Sequence, residues 1–159
     1  MTESRAGTTV IRDLLSYRLH VVANLLSRSA ELRYRREFGV SLWEWRTVAL
    51  LGGAAEPLTL NELARSAGID KSQMSRVVSG LARRRIVLRA PHSSDGRSVR
   101  LILSKAGERL YEGLIDAAGA RDAIFLNCLN TKERSCLEGA LAKLAETARG
   151  MIQRERAAA

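Results

Sequence analysis

Apolar positions near the N-terminus recur at helical spacing. They are Ile11, Leu14, Leu15, Val22, Leu25 and Leu26. Because residues three or four apart share one face of a helix, this pattern predicts an amphipathic helix over residues 11 to about 33, which needs a partner surface. A second stripe, near the C-terminus, consists of Leu137, Leu141, Leu144 and Met151. It predicts a last helix that starts at Asn130 or Thr131 and ends, with fraying, at about residue 154.

Three capping signals divide the middle of the chain into shorter helices. In a capping box, the side chain before a helix and a Glu or Gln three residues later satisfy free backbone N–H groups. The pairs are Ser41 with Glu44, Thr59 with Glu62 and Asp70 with Gln73. Glycines at positions 52, 53 and 68 end the first two helices. The second and third helices, about one turn apart, form a predicted helix-turn-helix.

Apolar residues give these two helices an inward face. In the first of them the predicted inward positions are Leu60, Leu63 and Ala64, and in the second they are Met74, Val77, Val78 and Leu81. Short apolar runs over residues 86–88 and 99–103 then flank turn-forming residues 91–96 and predict a β-hairpin wing. Ser104 can cap a long helix from Lys105 towards Leu126. The predicted fold class is α+β and mainly α-helical: a winged helix-turn-helix with helical extensions at both ends.

Positive charge is concentrated in this region. The chain of 159 residues carries a net charge of +9, and residues 71–105 hold nine basic residues and one acidic residue, a net +8. A solvated basic face is the simple explanation, but this density matches the footprint of a phosphate backbone. A membrane-surface helix is disfavoured because turn residues interrupt the cluster. The expected partner is double-stranded DNA, and no binding to a membrane is expected.

The start of the third helix carries side chains that suit base reading. The exposed candidates are Lys71, Ser72, Gln73, Ser75 and Arg76. Glutamine can pair with adenine, arginine with guanine and serine with either, whereas Lys71 better suits a phosphate. An ordinary polar helix face is the alternative interpretation.

Further candidates follow this helix. Arg84, Arg85 and Arg89 extend the phosphate-binding charge. In the hairpin turn, Arg97 suits a narrow minor groove, and Asp95 can hold Arg97 or the loop backbone through a charge-assisted hydrogen bond. A turn aspartate that only faces solvent is the alternative for Asp95.

The sequence lacks the residue patterns of enzymes and of metal-binding, membrane or secreted proteins. The chain has no phosphate-binding glycine-rich loop and no recognisable pair of nucleophile and base, so we predict no enzyme and no cofactor. Two cysteines, Cys128 and Cys136, and two histidines, His20 and His92, are too few for a structural metal site. Without an apolar run of about 18 residues or a signal peptide, the expected location is cytoplasmic.

The motifs together resemble those of the multiple-antibiotic-resistance regulator (MarR) family of bacterial transcription factors. The similar stretches are 45–50 (WRTVAL), 59–64 (TLNELA), 70–78 (DKSQMSRVV), 95–97 (DGR) and 101–107 (LILSKAG). With the flanking helices, the resemblance covers nearly the whole chain. Two residues depart from the family pattern: Arg85 stands where the family commonly has glycine, which implies a left-handed backbone costing about 1 kcal/mol, and Ser104 replaces threonine.

The resemblance implies a homodimer and a switch. Residues 1–40 and 106–159 would carry dimerisation helices around a DNA-binding region at 41–105. The dimer would place two recognition helices in successive major grooves of a palindromic operator. The resemblance also implies repression relieved by a small molecule that binds between the dimerisation helices and the DNA-binding region, favouring one dimer geometry.

An aromatic acid or its coenzyme A thioester is the candidate effector. Side chains that could form aromatic walls and cationic ends of a cleft are Tyr17, Arg18, His20, Arg33, Arg35, Arg36, Trp43 and Trp45. Alternatively, the tryptophans are core residues and the arginines are solvated. Two other functions stay open: an effector-independent architectural DNA-binding protein, and a cysteine-based redox sensor. We expect Cys128 and Cys136 to be buried or incidental.

Overall fold

The fold confirms the predicted winged helix-turn-helix. The computed structural model describes residues 10–91 and 99–158. Its elements are α1 (Leu15–Phe38), α2 (Leu42–Gly52), β1 (Leu58–Thr59), α3 (Leu60–Ala67), α4 (Lys71–Arg83), β2 (Val87–Pro91), β3 (Val99–Leu103), α5 (Lys105–Asn127) and α6 (Thr131–Ala158). The chain divides into two compact units, Met1–Ile115 and Asp116–Ala159, with the boundary inside α5.

Helix α1 differs from its prediction at both ends. The first apolar residues form a 3₁₀ turn, Ile11–Asp13, and the extended backbone of Leu14 (φ −67°, ψ 131°) separates this turn from α1. At the other end, α1 continues past residue 33 to Phe38 and stops at Gly39, whose φ is 64°. No glycine or proline lies between residue 15 and Gly39, so the helix has no local reason to end earlier.

Hydrogen bonds at the N-termini of α2 and α3 confirm two capping boxes. Ser41 Oγ accepts a bond from the Glu44 N–H at 3.3 Å, and Glu44 Oε2 accepts one from the Ser41 N–H at 2.8 Å. The same two bonds join Thr59 and Glu62, at 3.2 and 2.7 Å. These boxes set where each helix starts, and therefore the phase at which its apolar face meets the core.

Helices α2, α3 and α4 pack around one apolar core. Its fully buried side chains include Val48, Leu63, Met74, Val78 and Leu81. Leu60 and Val77, which we predicted to face inward, are only half-buried. The buried Thr47 hydroxyl donates a hydrogen bond to the Trp43 carbonyl oxygen at 2.8 Å, and its oxygen lies 3.5 Å from Met74 Sδ, a contact that joins α2 directly to α4.

Three antiparallel strands form a small sheet in the order β1-β3-β2. Strands β2 and β3 form the predicted hairpin, with Val87 opposite Leu103. Strand β1 was not predicted: it has two residues, and Leu58 pairs with Leu101 of β3. So short a strand shows no periodicity, and only its distant partner reveals it.

The second unit contains the end of α5 and the whole of α6. The Glu133 N–H donates a hydrogen bond to Asn130 Oδ1 at 3.0 Å, and the Asn130 N–H donates one to Glu133 Oε2 at 2.8 Å. Asn130 is therefore the N-cap of α6, which agrees with the first of the two predicted starts, Asn130 or Thr131. The predicted end near residue 154 is too early, since α6 reaches Ala158. The last residues of α6 are alanines and charged residues, which have a high helix propensity. Arg156 also places a positive charge near the free carbonyl groups at the C-terminus of the helix, which stabilises this end.

Candidate nucleic-acid interface

The first turn of α4 is capped and largely exposed. Asp70 Oδ1 accepts a hydrogen bond from the Gln73 backbone N–H at 2.8 Å. The reciprocal bond from the Gln73 side chain, expected of a full box, is absent from the part of the chain that the structure describes. Of the predicted base-reading residues, Lys71, Ser72 and Arg76 are exposed, whereas Gln73 and Ser75 are half-buried.

Arg84 follows α4 and forms a long-range ion pair. Its Nη1 donates to Glu44 Oε1 at 3.1 Å, although the two residues are 40 positions apart. Glu44 therefore caps α2 through one oxygen and binds Arg84 through the other. Sequence reasoning missed this second role of Glu44, because nothing local to the capping box indicates a partner so far along the chain.

Arg85 has a left-handed backbone conformation, as we predicted from its position, where the family commonly has glycine. Its φ is 55°, the only positive value at a non-glycine residue in the described ranges. The Arg85 N–H donates to the Ala82 carbonyl oxygen at 2.9 Å, and the Ile86 N–H donates to the Leu81 carbonyl oxygen at 3.0 Å. For a residue with a Cβ this conformation costs about 1 kcal/mol, which the surrounding contacts must offset. The side chain is exposed.

Arg89 and Ser75 come together at one pocket. Arg89 lies on β2, is exposed and pairs across the hairpin with Leu101. The pocket has a volume of about 260 Å³, and its lining residues are Leu60, Ser75, Val78, Arg89, Val99 and Leu101. The structure thus brings the middle of α4 and one basic strand residue to a common surface. Asp95 and Arg97, the two candidates in the wing turn, lie outside the described residues.

A second long-range ion pair ties the sheet to α3. Arg100 Nη1 donates to the Pro57 carbonyl oxygen at 2.8 Å and to Glu62 Oε2 at 3.3 Å. Hydrogen bonds from the Thr59 backbone N–H and hydroxyl lower the pKa of the Glu62 carboxyl below its usual 4.5, and the charges of Arg100 and Arg65 lower it less. Glu62 thus holds α3, β1 and β3 together in its charged form.

Stability should therefore depend on the charge of Glu62. Its pKa is lower in the folded than in the unfolded chain, so its contribution is present above the unfolded value and is lost as pH falls through the folded one. We expect Glu62→Gln to melt at a lower temperature than the wild type at pH 7, and this difference to shrink as the pH is lowered from 7 through the folded-state pKa of Glu62. Circular dichroism melts across this range test it, with Glu138→Gln on α6 as the control. A melting difference that is the same at every pH would contradict this role.

The candidate effector residues form two separate groups. Tyr17, Arg18 and His20 lie in the first two turns of α1 and are exposed, and the His20 ring bonds to the Asn24 amide at 2.8 Å. Arg35 lies 18 residues beyond Tyr17 on the same helix, about 27 Å away at 1.5 Å per residue. A single chain therefore does not bring both groups into one cleft.

The second group surrounds the junction of α1 and α2. Trp45 is half-buried and its ring packs against the buried Tyr34 ring, with centroids 5.2 Å apart. Arg46, which we did not predict, lies 4.7 Å from the centroid of the half-buried Trp43 ring. The cationic residues of this end are already paired: Arg33 and Arg36 with Glu37, and Arg35 with Glu31.

Two further pockets differ in charge. One, of about 270 Å³, is lined by Trp45, Arg46, Ala49, Leu50, Ser66 and Ala67. The other, of about 510 Å³, lies between the end of α2, β3 and the first turns of α5, and Glu56, Glu108 and Glu112 line it. A carboxylate ligand would meet like charges in the larger pocket, whereas the smaller offers an aromatic wall and a guanidinium.

The cysteines do not support a buried structural role. Both are free and exposed, so of the two expected alternatives, buried or incidental, the structure is compatible with the second. Cys128 Sγ donates to the Phe125 carbonyl oxygen at 2.9 Å, within the turn after α5. Over residues 10–91 and 99–158, no cluster of three or more His, Cys, Asp or Glu could hold a metal ion. None of the helices in the same ranges is long and apolar enough to cross a bilayer.

Known proteins are similar to this chain in both sequence and fold. The MarR family model matches residues 38–98. An HTH-type transcriptional regulator from Mycobacterium tuberculosis is 33% identical over 113 residues, which cover 70% of this chain and 78% of that protein. A MarR/EmrR family regulator from Acinetobacter superposes with a TM-score of 0.81 at 26% identity, over 89% of this chain and 99% of that one.

A more distant structure shows the fold with a ligand. CouR from Rhodococcus jostii, bound to p-coumaroyl-CoA, superposes with a TM-score of 0.74 at 19% identity, over 87% of this chain and 96% of that one. The relatives are transcriptional regulators and not enzymes, and their winged helix-turn-helix is the one described above. The chain belongs to the MarR family of DNA-binding transcriptional regulators.

Proposed function

We propose that the protein is a homodimeric repressor that binds a palindromic operator through α4 and the basic residues that follow it. The observation that carries the proposal is the pair of turns that open α4 behind the Asp70 cap, which present Lys71, Ser72 and Arg76 to solvent. A helix of this kind fits the major groove with its N-terminal residues at base edges. The free N–H groups and positive dipole of this helix end also favour nearby phosphates.

The proposed contacts divide into two kinds. Arg76 and Gln73 suit guanine and adenine edges, and Ser72 and Ser75 can bond to either base. The proposed phosphate contacts are Lys71, Arg84, Arg85 and Arg89, with Arg97 in the minor groove and Asp95 supporting it. Arg84 can reach a phosphate only by sharing or leaving the carboxylate of Glu44. We therefore assign it a smaller share of the binding than Arg76.

Exposed apolar stripes support the dimer. On α6, Leu137, Leu141 and Leu144 leave 45%, 46% and 36% of their surfaces exposed. A comparable set on α1 consists of Leu15, Leu19, Val22, Leu25 and Leu26. Stripes of this length on a single chain mark an interaction surface, and a second copy presents the same stripes to cover them. We therefore propose that residues 1–40 and 106–159 carry the dimer contacts.

The proposed effector is an aromatic acid or its coenzyme A thioester. The pocket at Trp45 and Arg46 supports this chemistry within one subunit, and the ligand of CouR belongs to the thioester class. Tyr17, Arg18 and His20 could join such a site only from the partner copy, because of their distance along α1. Titration calorimetry with free hydroxycinnamic acids and their thioesters tests the assignment. Heat from neither class, or binding that leaves DNA affinity unchanged, would remove it.

A competition assay tests the regulatory function itself. We expect a duplex selected by the protein to bind at least about a thousandfold more tightly than an unrelated duplex of equal length at 150 mM salt. An architectural DNA-binding protein would instead show similar affinities for both duplexes, each falling steeply with salt. Repeating the assay after peroxide treatment tests the redox alternative, which requires loss of binding through Cys128 or Cys136.

A further inference from the structure

The turn that ends α4 is tied to the first turn of α5. Ser104 Oγ donates a hydrogen bond to the Arg85 carbonyl oxygen at 2.6 Å and accepts one from the Gly107 N–H at 3.1 Å. The Ser104 N–H donates to the Ile86 carbonyl oxygen at 3.0 Å. A single residue before α5 thus bonds to both residues that follow the recognition helix and its cap.

Close packing reinforces these bonds. A Cβ at Gly107 would overlap the Ile86 carbonyl oxygen and would lie 3.2 Å from the Leu103 Cβ. Only glycine lets the first turn of α5 approach the turn backbone so closely. The segment held in this way includes Arg85, whose φ of 55° is unfavourable for a residue with a side chain.

We propose that Ser104 and Gly107 form a clamp through which α5 sets the direction of α4 on DNA. Neither residue is among the proposed DNA contacts, so both act as positioning residues. The inference rests on the proposed reading of DNA by α4.

The length of α4 explains why the clamp matters for recognition. Helix α4 has 13 residues. At 1.5 Å per residue it is about 20 Å long, so a tilt of about 5° at its clamped end moves its first turn by about 1.7 Å. Hydrogen bonds to base edges tolerate only a few tenths of an ångström, whereas attraction to phosphates varies slowly with distance. A loosened clamp should therefore reduce sequence discrimination more than general DNA affinity.

The clamp also gives α5 a route to the interface. Helix α5 runs without interruption from Lys105 to Asn127. A ligand or partner that shifts α5 along its axis would pull on Arg85 and Ile86 through Ser104. Control of DNA affinity would then need no contact between the effector and α4.

Two substitutions of Ser104 separate positioning from helix capping. Ser104→Ala removes both side-chain bonds. Ser104→Asp keeps a good cap for α5 but cannot donate to the Arg85 carbonyl oxygen, so the fold is retained even where the alanine variant is too unstable. For both we expect the ratio of specific to unrelated DNA affinity to fall about tenfold. Ser104→Thr keeps the hydroxyl and should lie within about twofold of the wild type.

The measurement uses the full chain, a duplex selected from a random library by the wild type, and an unrelated duplex of equal length. Protein concentrations are those of active molecules, titrated with excess DNA, so that unfolded chains do not count. A tenfold drop in the ratio for Ser104→Asp, with rescue by Ser104→Thr, supports the clamp. An unchanged ratio in both Ser104→Asp and Ser104→Ala refutes it. A wild type that prefers neither duplex would instead refute the proposed DNA recognition.

Discussion

Replacing Arg76 with alanine is expected to weaken operator binding about a hundredfold, because one bidentate contact to guanine contributes about 1–3 kcal/mol and the proposed dimer would lose two of them. Arg76 is exposed in the second turn of α4, behind the Asp70 cap, so its removal should leave the fold unchanged. Affinity for unrelated DNA should fall less, because there the residue supplies only charge.

Arg149→Ala is the matched control for this result. It also removes one exposed arginine from each subunit, but from α6 and not from α4. Fluorescence anisotropy with the selected duplex, at two salt concentrations, separates the loss of a base contact from the loss of charge. Equal affinities for the Arg76→Ala and Arg149→Ala proteins would show that α4 does not read the operator through Arg76.

Leu141→Asp should separate the proposed dimer into monomers and abolish tight operator binding. The substitution places a carboxylate in the middle of the α6 stripe, where burial against a second copy would leave it without a partner. Each monomer would retain one recognition helix and lose the second binding event, which normally adds a factor of about 10²–10⁴ to affinity.

Lys143→Asp is the control for this substitution. It introduces the same carboxylate two residues away, outside the stripe formed by Leu137, Leu141 and Leu144. Light scattering after size-exclusion chromatography reports the mass, and anisotropy reports DNA binding. A Leu141→Asp protein that still elutes as a dimer would place the dimer contacts elsewhere; a monomeric wild type would remove the dimer from the proposal.

Local chemistry explains which elements could be predicted from the sequence. The caps at Ser41, Thr59 and Asn130 involve partners three residues away, so a short stretch contains all that they need. The positive φ of Arg85 was also predictable, since the residue occupies a position where the family uses glycine. Start positions and turn geometry thus follow from neighbours in the chain.

Distant partners explain what could not be predicted. Glu44 with Arg84 and Glu62 with Arg100 lie 40 and 38 residues apart, and no local pattern joins them. Periodicity indicates which face of a helix a residue lies on, but it does not indicate whether two residues on the helix are close enough to share a site. Tyr17 and Arg35 were therefore assigned to one cleft although they lie several turns apart on α1.

Selection of bound duplexes from a random-sequence library by the wild-type protein tests the central claim most directly. Two α4 helices in successive major grooves predict an inverted repeat whose half-site centres lie about 10 base pairs, or a multiple of that, apart. The enriched positions should include guanine for Arg76 and adenine for Gln73. Enrichment of no sequence, or of a single half-site without its inverted copy, would contradict a dimeric regulator that reads DNA through α4.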